Sequence, residues 1–205
     1  ILSFASFFLL SSILIFAILW SFSNNIPDYK FLKSYKPPVS SKVYSGNGDL
    51  VADFSKEKRV FVPYSAIPKN VINAFLSAED KNFFSHTGID ATGVLRAIFN
   101  HIKNVITSKR LEGALTSTQQ VAKKFLRTNE VSLNRKLKEA ILAFRIERAL
   151  SKERILELYL NQIYLGSGAY GVAAASLEYF DKSIKELNYA EAALLAALPT
   201  APSKY

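Results

Sequence analysis

The stretch Ser77-Ala78-Glu79-Asp80-Lys81-Asn82-Phe83-Phe84-Ser85-His86-Thr87-Gly88-Ile89-Asp90 decides how the rest of the chain is read. An apolar helical run, Val71, Ile72, Ala74, Phe75 and Leu76, carries the chain straight into the acidic pair Glu79-Asp80. Two aromatics, a histidine and a glycine follow within nine residues. A carboxylate at the end of a greasy helix, beside aromatic walls, can lose solvation and gain proton affinity. General acid or base chemistry needs a carboxylate of that kind. Two acids alone are more often ordinary surface charges, so the remaining sequence has to decide.

The 205 residues suit one domain with appendages. Beginning at Ile1 and lacking methionine, the chain reads as a fragment or as one whose start has been removed. The absence of cysteine excludes disulfides and thiolate metal sites. The net charge of +9 is concentrated: residues 96–154 hold fourteen Lys/Arg against five Asp/Glu. Such a stretch attracts phosphate or pyrophosphate, acidic lipid headgroups or nucleic acid, unless it is simply a solvated face. No recognition motif accompanies the basic stretch, so no nucleic-acid partner is expected.

Ile1 to Phe22 contains no charge. A helix of that length, rising about 1.5 Å per residue, spans a hydrocarbon core of about 30 Å. Trp20 and Phe22 stand where an interfacial aromatic belt would lie. Residues 1–22 are therefore expected to be a transmembrane anchor. Residues 23–62 read as a linker followed by a small β element, with prolines at 27, 37 and 38. The β element is a hairpin of Lys42–Tyr44 and Leu50–Phe54 around the Gly46 and Gly48 turn. A further short strand is expected at Val60–Val62.

From Ile67 the pattern is helical, with Pro68 in a first turn. Asp90 is expected to cap a helix reaching about Ser108, with Val94, Leu95, Ile98, Phe99 and Ile102 on its apolar face. That face, edged by cations, suits either a membrane interface or a protein core. Leu111 to Gln120 is rich in hydroxyls and amides and precedes Lys123, Lys124 and Arg127. Ser132 to Leu150 reads as a long helix with Leu137, Ile141 and Phe144 as its buried stripe. Arg135 and Glu139 share a helix face. They form either an exposed ion pair or a phosphate-facing set in which Glu139 orients a cation or holds a divalent metal. Ser151 caps another helix to Leu165, and helices at 172–180 and 189–198 follow. Gly166-Ser167-Gly168-Ala169-Tyr170-Gly171 matches a dinucleotide fingerprint only formally, since it follows a helix. Its glycines are expected to let two helices pass closely.

Four stretches taken together resemble the peptidoglycan glycosyltransferase domain (glycosyltransferase family 51) of class A penicillin-binding proteins. Glu79-Asp80-x-x-Phe83-x-x-His86-x-Gly88 is similar to the first motif, and Gly113-Ala114-Leu115-Thr116-Ser117-Thr118-Gln119-Gln120 to the second. Arg135-Lys136-Leu137-Lys138-Glu139 is similar to the third, and Ile155 to Gly166 to the fourth. The resemblance implies a mainly α, lysozyme-like glycosyltransferase domain over residues 63–205. Its expected setting is the outer, periplasmic side of the cytoplasmic membrane, to which a single pass anchors it. It implies polymerisation of a lipid-linked disaccharide-pentapeptide into glycan strands with inversion, releasing polyprenyl pyrophosphate. Glu79 and Glu139 would be catalytic. Asp80, Phe83, His86, Thr116, Thr118, Gln119, Gln120, Lys123, Arg135, Lys136, Asn161 and Tyr164 would bind substrate. A divalent cation, Mg or Mn, at Glu139 belongs to the same expectation, as do partners among other wall-synthesis proteins.

Three positions depart from the family pattern: Leu115 for serine, Val131 for an arginine, and Asp181 for the glycine after Tyr179-Phe180. The fifth motif and the transpeptidase domain are not in this sequence. A lytic lysozyme-like glycosidase and a non-catalytic membrane-bound scaffold are the alternatives. The cation cluster speaks against the first, because a neutral polysaccharide leaving group needs none.

Overall fold

The structure is a computed structural model that describes residues 6, 9, 10, 12, 13, 30–35, 42–53, 57–90, 93, 116–126 and 133–200. Among these the chain is mainly helical: α1 (Lys69–Glu79), α2 (Ser117–Leu126), α3 (Leu133–Ala149), α4 (Lys152–Gln162), α5 (Val172–Phe180) and α6 (Tyr189–Ala197). The short strands are β1 (Lys42–Tyr44), β2 (Leu50–Asp53), β3 (Lys58–Arg59) and β4 (Ala169–Tyr170). No helix among the described residues is long and apolar enough to cross a membrane. Most of residues 1–22, the helix expected after Asp90, Leu115 and Val131 lie outside the described residues.

Pro68 precedes α1 as its N-cap rather than entering its first turn. Val71, Ile72 and Phe75 form the buried face of α1, which packs along α6. Phe75, about 1 % exposed, meets Tyr159 of α4 edge-on at 6.3 Å between ring centroids. Burying a side chain of this size contributes about 1.5–3 kcal/mol. Ser151 caps α4 as expected, its hydroxyl accepting from the Arg154 N–H at 3.3 Å. Asn188 and Glu191 close a reciprocal capping box at the start of α6.

Helix α3 faces the core differently from expectation. Glu139, Leu142, Ala143 and Ile146 are buried, while Leu137 and Phe144 are 39 % and 46 % exposed. The helix is apolar on two adjacent faces, and the face carrying the small Ala143 is the one that allows close packing. Gly88 exploits that closeness: its φ is +105°, and a Cβ there would stand 3.0 Å from the Ala143 carbonyl carbon.

β1 pairs antiparallel with β2, with Lys42 opposite Asp53. The strand expected at Val60–Val62 does not form. The Asn161 side chain takes both the N–H and the C=O of Val62 at 2.8 Å each, which satisfies that backbone without a ladder. Pairing occurs one step earlier instead, with β3 parallel to β4. The glycine-rich segment thus supplies a strand and a turn rather than a helix crossing. Gly171, at φ +86°, brings the chain against the end of α4, where a Cβ would meet the Asn161 carbonyl oxygen at 2.9 Å.

Part of the expected linker is docked on the body. Lys30–Lys33 forms a 3-10 turn, Leu32 is buried, and the Tyr35 ring meets Phe125 edge-on at 5.1 Å. The Arg154 guanidinium donates to the carbonyls of Leu32, at 3.1 Å, and of Tyr35.

Candidate active site

The carboxylate pair sits where α1 ends. Glu79 is its last residue, and Asp80 leaves the helix at φ −155°. Glu79 is half-buried, and its Oε2 accepts a 2.8 Å hydrogen bond from the Gln120 side-chain amide of α2. Its proton affinity lies above the ordinary glutamate value. Burial is the main cause, opposed by the Gln120 bond and assisted by the negative charge of Asp80. This is the perturbed acid that the apolar run of α1 leads one to expect.

Asp80 serves differently. It is buried and accepts from the Ser117 backbone N–H at 2.8 Å and from His86 Nε2 at 3.1 Å. The His86 Nδ1 accepts from the Gly88 N–H at 3.1 Å, so the ring proton resides on Nε2 and is donated to Asp80. Thr116 closes the far side of the loop, its hydroxyl donating to the Gly88 carbonyl at 2.7 Å. Gln119 accepts from the Thr116 N–H at 3.0 Å. Thr118 donates to Glu147 at 2.6 Å. Phe83 is fully buried, with its ring edge-on to His86 at 6.0 Å.

The side chains expected to form one site therefore divide into two sets. Asp80, Phe83, His86, Thr116, Thr118, Gln119 and Asn161 are buried or bonded inside the chain. Glu79, Gln120, Lys123, Arg135, Lys136 and Tyr164 retain accessible surface. Tyr164, 39 % exposed, lies beside Tyr170 with centroids 4.9 Å apart. The Tyr170 ring is itself approached by the cations of Arg59 at 4.3 Å and Lys124 at 5.0 Å.

Helix geometry relates the basic groups to Gln120. Thr118 near the start of α2 touches Glu147 near the end of α3, and only residues 127–132 join the two helices. The helices must therefore run antiparallel, with the end of α2 beside the start of α3. Lys123 stands one turn beyond Gln120, and the end of α2 lies about 9 Å of rise from it. Arg135 occupies the first turn of α3, with its Nε 3.1 Å from Glu139 Oε1. Glu139 is 1 % exposed. Among the described residues no group of three or more His, Asp or Glu side chains could hold a metal. Glu139, the carboxylate expected to hold a divalent cation, is paired with Arg135.

Three members of the site were not legible in the sequence. Glu147 and Lys152 pair at 2.8 Å, and the Lys152 ammonium also donates to the His86 carbonyl at 2.6 Å. Five residues apart across a helix break, they show none of the spacing that marks an ion pair within one helix. Tyr159 was likewise missed. Its hydroxyl is buried without a hydrogen-bond partner among the described residues, and its proton affinity is raised by burial and by the charges of Glu79 and Asp80.

Comparison with known proteins agrees with the motif reading. The family model described as Transglycosylase matches residues 47–205. The chain is 54 % identical over 187 residues to penicillin-binding protein 1A of Rickettsia felis, covering 91 % of this chain and 24 % of that protein. It is 51 % identical over 181 residues to penicillin-binding protein 1A of Aquifex aeolicus, covering 88 % and 24 %. The crystal structure of penicillin-binding protein 1A from Haemophilus influenzae matches at 25 % identity and a TM-score of 0.39, over 82 % of this chain and 15 % of that one. The chain thus spans about a quarter of the length of the curated relatives it matches. It belongs to the transglycosylase family, the glycosyltransferase domain of class A penicillin-binding proteins.

Proposed function

We propose that the chain carries the peptidoglycan glycosyltransferase activity of its family, with Glu79 as general base. A sugar hydroxyl of the lipid-linked disaccharide-pentapeptide acceptor gives its proton to Glu79. Its oxygen attacks the anomeric carbon of the pyrophosphate-linked donor chain. The new glycosidic C–O bond forms as the bond to pyrophosphate breaks on the opposite face, so the centre inverts. Polyprenyl pyrophosphate departs with the bonding electrons. Lys123, Arg135 and Lys136 balance the negative charge that develops there. Glu139 holds the Arg135 guanidinium in place.

The observation that carries this reading is the half-buried, proton-hungry Glu79 bonded to Gln120, one helical turn from Lys123. Asp80 and His86 hold the loop, while Phe83, Thr116, Thr118, Gln119 and Asn161 build its walls. Tyr164 offers a ring to the glycan. Residues 1–22 form a membrane anchor, which keeps the cleft beside the lipid that delivers its substrate. The test is polymerisation of lipid-linked precursor by the full-length protein and its E79Q variant, with products sized. Chain growth lost in E79Q is expected. Growth that survives the substitution rules out Glu79 as base, and fragmentation of finished glycan would favour the glycosidase reading.

A further inference from the structure

The Lys152 ammonium is shared among three elements. It donates to the His86 carbonyl at 2.6 Å and to Glu147 Oε1 at 2.8 Å, and it lies 4.5 Å from the centroid of the Phe83 ring. The side chains of Lys152 and Glu147 are 19 % and 6 % exposed. Glu147 in turn accepts from Thr118 at 2.6 Å, and its Oε1 is 3.9 Å from His86 Nδ1. This charge pair is joined by hydrogen bonds to α2, to α3 and to the loop 80–88. A buried pair of this kind is costly to desolvate and adds little net stability. A solvated surface loop needs no such pair.

We propose that Lys152 is a positioning residue for the Glu79 carboxylate, acting through the loop that it ties to α3. The route is continuous. Lys152 fixes the His86 carbonyl and the Phe83 ring, and His86 holds Asp80 through Nε2. Asp80 holds the Ser117 N–H at the start of α2, and α2 presents Gln120 to Glu79. Loss of the ammonium frees the loop and leaves the Glu147 carboxylate uncompensated beside His86. Both changes displace Asp80 and admit water to Glu79; burial is the largest influence on its proton affinity, so its loss outweighs any weakening of the opposing Gln120 bond. The groups facing His86 are Asp80 from its own loop, Glu147 from α3 and Lys152 from α4. The inference rests on the reading of Glu79 as base, but one arm of its test does not.

That arm is amide hydrogen exchange by mass spectrometry on the full-length protein, comparing K152M with the unmodified chain. Residues 85–88 and 117–120 are expected to exchange about tenfold faster, while α4 and α6 keep their protection. In polymerisation assays, kcat should fall about tenfold with KM changed less than about threefold. The acid limb of the pH–rate profile should move to lower pH, because Glu79 returns toward ordinary glutamate behaviour. K152R, which keeps the cation, should recover most of the rate. If K152M loosens the whole domain, K152Q keeps a side-chain donor in place of the ammonium and should show the local exchange pattern and the same direction of pH shift. Unchanged exchange at the two segments overturns the proposal, as does wild-type kcat with an unmoved acid limb. Absent polymerisation in the unmodified protein would count against the Glu79 reading instead, and the exchange pattern would still decide the tether.

Discussion

Replacing Gly88 by alanine probes how closely the loop 80–88 must approach α3. The backbone there has a φ of +105°, and an added Cβ would stand 3.0 Å from the Ala143 carbonyl carbon, 3.1 Å from its oxygen and 3.1 Å from the Phe144 nitrogen. Those are backbone atoms of a packed helix, so they cannot swing aside. The conformational penalty for an L-residue at such a φ is about 1–3 kcal/mol. Forcing a methyl into filled space adds about 1–3 kcal/mol. G48A separates the two, because Gly48 has a φ of +89° with nothing within 4 Å of its Cβ position. G48A should therefore show only the first penalty. In a domain of this size each kcal/mol lowers Tm by about 2–4 °C. G88A is thus expected to melt roughly 4–24 °C below the parent, and G48A roughly 2–12 °C. G88A should also lose most polymerisation, since Gly88 bonds both His86 and Thr116. Thermal melts of the three proteins in one detergent decide it. Equal losses in G88A and G48A would mean the loop does not lie against α3.

Further tests address the carboxylate and two isolated features. Q120A removes a bond that favours ionised Glu79, so the acid limb of the pH–rate profile should move upward; a downward shift contradicts the geometry. The folded state binds the Glu79 proton more tightly than the unfolded chain does. Its stabilising contribution is therefore present at low pH and lost as pH rises through the raised value. E79Q should accordingly match the parent in acid and exceed its stability at higher pH, as denaturant titrations across pH would show. Asp181 ends α5 at φ +50°, so D181A should lose about 1 kcal/mol while D181G does not. Y159F deletes a buried hydroxyl that has no partner among the described residues. Its stability should stay within about 1 kcal/mol of the parent, or rise, and a larger loss would reveal a bond to that hydroxyl.

The parts of this site that were legible in the sequence depend on neighbours in the chain. The apolar run of α1 ends at Glu79, and Ser151 caps α4, because both follow from spacing over a few residues. What could not be read depends on remote partners. Asp80 finds Ser117 thirty-seven residues away, and Val62 finds Asn161 across ninety-nine. That second contact satisfies the backbone where a strand was expected. Helix α3 shows a related difficulty: Leu137, Ile141 and Phe144 form a valid helical stripe, yet Leu142, Ala143 and Ile146 form another. The approach of Gly88 and the packing of α2 along α3 select between them. The division of the motif residues into those that line the cleft and those that brace it has the same origin, since burial is a property of the assembled body.

The docking of residues 30–35 on α4 has a geometric corollary. From Phe22, the end of the apolar run, to Lys30 there are eight residues, which at full extension reach about 28 Å. Arg154 grips the carbonyls of Leu32 and Tyr35, so the slack ends there rather than at the strand following residue 41. If the N-terminal run is the anchor proposed above, the leash between it and the docked segment is at most about as long as a bilayer core is thick.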